Sequence, residues 1–344
     1  MIWIISLLFL VTVLFSKIKF EPNKKNLVSI ETSKSINGFF TCLILISHFT
    51  SYVALESTNS FIARIVTNYI GQMMVASFLV FSGYGIAKSI LTKDKYISEY
   101  LPSRIMKVYR NFFISIVIYL LYNYVSGIKF PARINFLSFL GWESIGNSNW
   151  YIFTIMLLYL LVYLLFNNSK GINKNVLRFT IVTMIYGFLI VEIKQDYWAS
   201  TVLCFPAGMY LGIHENKILS FLTSVKRYIL SIVILALLIV VVYYLFGYSW
   251  LIYNLIAFMF IFMLILLGNI LNYSNNVLIF ISTYTFEIYI YQRLFFDLYS
   301  HLLKGNNIVV YFFVSVFSIF IFSFYVKKYS DRAVTLIKNK LFSK

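Results

Sequence analysis

The chain has 344 residues, 60% of them apolar and only 12% charged, with 29 Lys and Arg against 12 Asp and Glu and a formal net charge of +17. A soluble domain carries about a quarter charged residues, and here the apolar residues run in long blocks instead of alternating faces, which excludes a soluble multi-domain protein. The basic residues fall between those blocks, as the positive-inside rule expects of cytoplasmic loops, and this argues against nucleic acid as a partner.

Crossing the hydrocarbon core takes roughly 17–25 apolar residues per helix. Apolar blocks of about that length run over 1–16, 36–54, 69–91, 109–126, 150–166, 176–192, 198–213, 228–246, 250–270, 277–299 and 308–326. They predict an all-α integral membrane protein with about eleven transmembrane helices. The first block, Met1 to Phe15, is followed by Lys17, Lys19, Lys24 and Lys25. A cleavable signal peptide has the opposite polarity, so the expectation is a retained helix with the N-terminus outside and, after eleven crossings, a cytoplasmic C-terminus.

The second block contains His48. An ionisable group inside a span costs roughly 2.5–3.5 kcal/mol on insertion scales and is usually functional. A neutral imidazole can take a proton from a hydroxyl near pH 7, though a proton relay or a transporter's substrate site would use the same residue. In the third block, Phe81-Ser82-Gly83-Tyr84-Gly85 offers small residues that admit a neighbouring helix or a ligand chain. Before the fourth block, Pro102 suits a first helical turn, and Arg104, Lys107 and Arg110 share one stripe. Like charges at that spacing repel, so the stripe calls for an anion, either lipid phosphate or a phosphorylated cytosolic ligand.

Further along, Trp142, Trp150, Trp198 and Trp250 fall with Trp3 near outer helix ends, as an interfacial aromatic belt does. Stacking on an outer carbohydrate is the sharper alternative. The tenth block holds Glu287 and Arg293, which are six residues and about 240° apart on a helix and cannot pair. Arg293 can reach Asp297 four residues on. Glu287, placed near mid-membrane, then needs a partner on another helix, and His48 is one candidate.

Orientation follows from counting. With the N-terminus outside, 23 of the 29 Lys and Arg residues fall on the cytoplasmic side, and only Arg64, Lys129, Arg133, Lys194, Arg293 and Lys304 remain for the outer side. The same orientation places the acidic residues Glu56, Glu143 and Asp196 on the outer side. Cys42 and Cys204 sit inside apolar blocks, with no spacing that suggests a disulfide, zinc or other metal site.

In order, these segments resemble membrane-bound acyltransferase family 3, of the polysaccharide O-acetyltransferase type. The resemblance rests on Asn37-Gly38 through His48, on Leu79-Val80-Phe81-Ser82-Gly83-Tyr84, on Arg104-Ile105-Met106-Lys107, on Trp150 through Tyr159, and on Glu287-Ile288-Tyr289-Ile290. It divides the chain into an extra N-terminal helix at 1–20, a ten-helix domain over 36–326 and a basic cytoplasmic tail at 327–344. Three positions depart from the family pattern. Asn37 replaces an arginine eleven residues before the histidine, with Lys34 about one turn earlier as a substitute. Lys107 stands where arginine is common, which loses the bidentate fork, and Gln292 stands where many members have a second histidine.

The resemblance implies acetyl-CoA as cosubstrate on the cytoplasmic side, held by Arg104, Lys107, Arg110, Lys34, Ser82 and Gly83. It implies His48 and Glu287 as catalytic residues, with His48 a general base or transient acyl carrier. Trp150, Tyr289 and Arg293 would bind the acceptor, a surface polysaccharide or lipid-linked glycan. It also implies a multi-pass protein of a bacterial cytoplasmic membrane, in contact with lipids. A homo-oligomer is compatible with the sequence. The competing expectation is a transporter or flippase for a glycan or lipid-linked sugar. Such folds often show paired half-repeats and broken helices, and the sequence shows neither.

Overall fold

The structure is a computed structural model that describes residues 19–20, 26–53, 71–167, 171–272, 274–303 and 307–342. The expected first span and Trp3 lie outside the described residues, as do Lys17, Lys24, Lys25, Glu56, Arg64, Lys170, Lys304 and Lys344.

Among the described residues the elements are helical apart from one two-residue antiparallel pair, β1 (Lys19–Phe20) with β2 (Leu271–Asn272). The helices are α1 (Ile30–Phe49), α2 (Gly71–Thr92), α3 (Met106–Val125), α4 (Ala132–Ser138), α5 (Trp150–Phe166), α6 (Ile172–Val191), α7 (Cys204–Ile213), α8 (Glu215–Phe221), α9 (Val225–Phe246), α10 (Trp250–Ile270), α11 (Asn276–Ser282), α12 (Thr285–Leu302) and α13 (Ile308–Phe342). A π-wound turn, Leu101–Ile105 with Pro102 near its start, leads into α3.

Among the described residues six helices are long and apolar enough to cross a membrane: α2, α3 with its leading turn, α6, α9, α10 and α13. Burial is inverted as lipid requires. Leu121, Leu237, Val240 and Phe317 face outward, while Asn254, Asn269, Glu287 and Gln292 are buried. Helices α1 and α12 are also long, but they carry Lys34, Asn37 and His48, and Glu287, Gln292, Arg293 and Asp297, respectively. Polar groups of this kind are tolerated at depth only when they face the protein interior.

Two expected spans differ from their blocks. The block 198–213 holds only α7, whose ten residues rise about 15 Å, half the hydrocarbon thickness. The turns before it stay buried because Asn254 serves their backbone, donating to Ala199 O at 2.7 Å and accepting from Leu203 N at 2.8 Å. Irregular backbone inside a bilayer needs such protein partners. The block 277–299 is broken at Thr283–Tyr284 into α11 and α12.

Helix α7 packs tightly on α2. A Cβ on Gly83 would lie 2.0 Å from Phe205 O, and one on Gly208 would lie 2.1 Å from Val80 O. Small residues on both faces let the backbones approach, as in other membrane helix pairs.

Contacts sort the loops into two ends. At one end Glu215 accepts from Leu27 N, Tyr84 and Lys88, Asn269 donates to Leu27 O, and Lys327 pairs with Glu287. At the other, Lys194 pairs with Glu143 and lies 4.5 Å over Trp142, which packs on Trp198. The described loops of the first end are those that counting assigned to the cytoplasm. Helix α13 carries its winding through the expected tail to Phe342.

Candidate active site

His48 stands one residue before the end of α1, which is followed by a tight turn at Thr50–Tyr52. It lines a cavity of about 330 Å³ whose walls also include Gln72, Ser144, Asn147, Ser148, Asn149, Trp150, Tyr197, Tyr289 and Arg293. Arg293 projects from α12 and places Nη2 3.4 Å from Nδ1 of His48. A guanidinium carries donors only, so Nδ1 is the acceptor. The neutral ring in this arrangement carries its proton on Nε2.

The expected pairing of Arg293 with Asp297 does not form. Asp297 accepts from Tyr122 at 2.7 Å and faces His301 at 3.9 Å. The expected contact of His48 with Glu287 does not form either. Glu287 lies in the first turn of α12, 3.7 Å from Lys327 on α13. The reason is helical geometry: over six residues α12 advances about 9 Å along its axis, which assigns Glu287 and Arg293 to different depths.

Glu287 belongs to a second cavity, of about 420 Å³, at the opposite end. Its rim is charged, with Arg104, Lys107 and Lys327 beside Glu287, and Val75, Phe78, Ile152 and Ile155 give it an apolar interior. Arg104 and Lys107 arrive together because the π-wound turn continues directly into α3. Arg110 departs from their stripe. It donates to Asn111 at 2.9 and 3.0 Å and faces Asp331 at 3.6 Å, tying α3 to α13. Lys34 is exposed and lines neither cavity. Asn37, at the family's arginine position, accepts from Ser77 at 3.0 Å. Ser82 shapes the wall indirectly, bonding Tyr159 at 2.8 Å, and Gly83 serves the α2–α7 contact.

The two cavities share Val75 and Tyr289 as lining residues. The Tyr289 ring stands edge-on 6.4 Å from His48 and 5.7 Å from Tyr151, so an aromatic partition separates them. On the His48 side, Gln72 Oε1, Asn147 Nδ2 and Arg293 Nε are buried without hydrogen-bond partners among the described residues. Buried polar atoms are nearly always paired, so these three leave one acceptor and two donors open to a polar group in the cavity. Sequence reading missed Gln72, Asn147, Asn149 and Lys327. Uncharged amides carry no signal of depth, whether in the first turn of α2 or in the loop before α5, and Lys327 read as part of a basic tail.

The arrangement suits transfer between two ligands that enter from opposite ends. A family model described as "Acyltransferase domain" matches residues 35–327. No curated protein and no solved structure matches the chain.

Proposed function

The chain belongs to acyltransferase family 3, whose domain covers residues 35–327, and from this membership in a family of membrane acyltransferases we propose a specific reaction for it. It moves an acetyl group from acetyl-CoA on the cytoplasmic face of a bacterial membrane to a hydroxyl of a surface polysaccharide or lipid-linked glycan on the other face. The observation that carries this reading is the pair of cavities meeting at Tyr289, one rimmed by cations and one lined by amides, aromatic rings and His48.

The residues of the basic cavity fit such a donor. Arg104, Lys107 and Lys327 supply cations for its phosphates, and the apolar walls between them and Tyr289 suit a slender arm carrying the thioester. Arg104 offers the phosphate fork that a lysine lacks. The opposite cavity suits a sugar, with the rings of Trp150 and Tyr197, packed edge to face at 5.8 Å, in its wall and unpartnered amides for hydroxyls.

His48 and Arg293 then act as a unit. The acceptor hydroxyl takes the place of Arg293 at Nδ1, and Nδ1 accepts its proton as the oxygen attacks the acyl carbon. Arg293, released from the ring, turns its donors to the oxyanion of the tetrahedral intermediate. Collapse breaks the carbon–sulfur bond, and the imidazolium returns its proton to the departing thiolate, giving ester and free thiol. General-base help of this kind is typically worth about 10²–10⁴ in rate.

The test is His48→Ala in the native host, with mass analysis of surface glycans. The expected result is loss of one acyl increment at unchanged protein level in the membrane. Unaltered acyl content would overturn the assignment.

A further inference from the structure

We infer that a third cavity, walled by the end of α2 with the turns after it and by the start of α6, seats the adenine ring of the donor, with Asn175 reading its hydrogen-bonding edge. This rests on the acetyl-CoA reading above and adds a nucleotide subsite to it.

The cavity measures about 500 Å³ and is lined by Lys93, Asp94, Lys95, Tyr96 and Asn175 among others. It lies outside both cavities described so far. Asn175 is 0% exposed, and neither its Nδ2 nor its Oδ1 has a hydrogen-bond partner among the described residues. A buried amide left with a free donor and a free acceptor is costly. A ligand edge that offers an acceptor beside a donor satisfies both atoms at once. Adenine has that edge on its N7 side, with the amino group beside N7. Guanine and hypoxanthine present two acceptors on the corresponding edge and leave the amide oxygen unpaired.

Position supports the same occupant. Tyr96 lines this cavity and Tyr159 lines the donor cavity. Tyr100 stands between them, its ring 5.6 Å from Tyr96 and 5.9 Å from Tyr159. Arg104 lies alongside all three tyrosines. A ligand with a base at one end, phosphates in the middle and a narrow arm at the other would therefore meet Asn175, then Arg104, then the apolar walls below Tyr289. Lys93 and Lys95, both exposed, add cations for a sugar-linked phosphate, partly offset by Asp94.

The experiment uses the full-length protein in detergent and labelled CoA displaced by CoA or by its hypoxanthine analogue. Wild type is expected to bind the analogue about tenfold or more weakly. Asn175→Leu removes an unpaired polar group from the interior, so folding should be retained, and this variant is expected to bind both ligands alike. Equal binding by wild type, or a preference that survives Asn175→Leu, would overturn the inference while leaving the donor assignment standing. Absence of any CoA binding to wild type would overturn both.

Discussion

Nη2 of Arg293 lies 3.4 Å from Nδ1 of His48, joining two helices across 245 residues of chain. The contact is at the outer limit of a hydrogen bond, and in the proposed reaction the guanidinium leaves the ring when the acceptor arrives. It also fixes the resting tautomer, because arginine cannot accept.

Arg293→Ala is therefore expected to lower acyl transfer about 100-fold, the scale of losing one oxyanion donor, with little change in donor affinity. Arg293→Lys should recover part of the loss, since it keeps the charge without the fork. Transfer of labelled acetyl in purified membranes measures both. A change confined to donor affinity would place Arg293 outside the reacting group.

At the charged rim the expected split is reversed. Arg104→Ala should raise the KM for acetyl-CoA about tenfold or more, the value of a hydrogen bond to a charged group, with kcat nearly unchanged. Arg110→Ala should leave that KM close to wild type, because Arg110 is engaged with Asn111 and Asp331. An equal effect of both substitutions would restore the three-residue stripe that the sequence suggested.

The α2–α7 contact leaves no room for a side chain. Gly83→Ala places a Cβ 2.0 Å from the Phe205 carbonyl oxygen, so the helices must separate. A loss of about 2–4 kcal/mol is expected, within the range for overpacked cores and strained backbone. A melting temperature in detergent equal to that of wild type would contradict this packing.

Glu215, in the short helix α8, ties the entry to α1 to the end of α2. Burial by itself would raise its carboxyl, but the bonds from Lys88, Tyr84 and the Leu27 amide together hold it below the usual carboxylate range. The native state thus binds fewer protons than the unfolded chain between the two values, and stability there rises with pH. This contribution is complete above the ordinary glutamate range and is lost as pH falls through the lowered native value. Melting temperatures followed from neutral to acid should drop more steeply for wild type than for Glu215→Gln. Parallel curves would remove Glu215 from the acid response.

Much of the fold could be read from the chain, and the reason is the bilayer. Block lengths and basic loops located α2, α3, α6, α9, α10 and α13, because each had to present an apolar face to lipid. Helix α7 was misjudged since buried turns before it are as apolar as a helix, and only Asn254 shows how their backbone is satisfied. At the site, Arg104, Lys107, His48 and Arg293 stood out as polar groups in apolar surroundings. Their grouping did not, because helical periodicity gives a face but not the neighbour across it. That is why Glu287 was sought beside His48 and lies instead with Lys327.

The central claim is that donor and acceptor occupy opposite cavities, with the partition at Tyr289 between them. Sealed membrane vesicles of both orientations, loaded with acceptor glycan and given labelled acetyl-CoA on the outside, test it most directly. The account predicts labelled glycan only in inverted vesicles, where the face carrying Arg104, Lys107 and Lys327 meets the donor. Equal labelling in both orientations, or labelling confined to right-side-out vesicles, would contradict it.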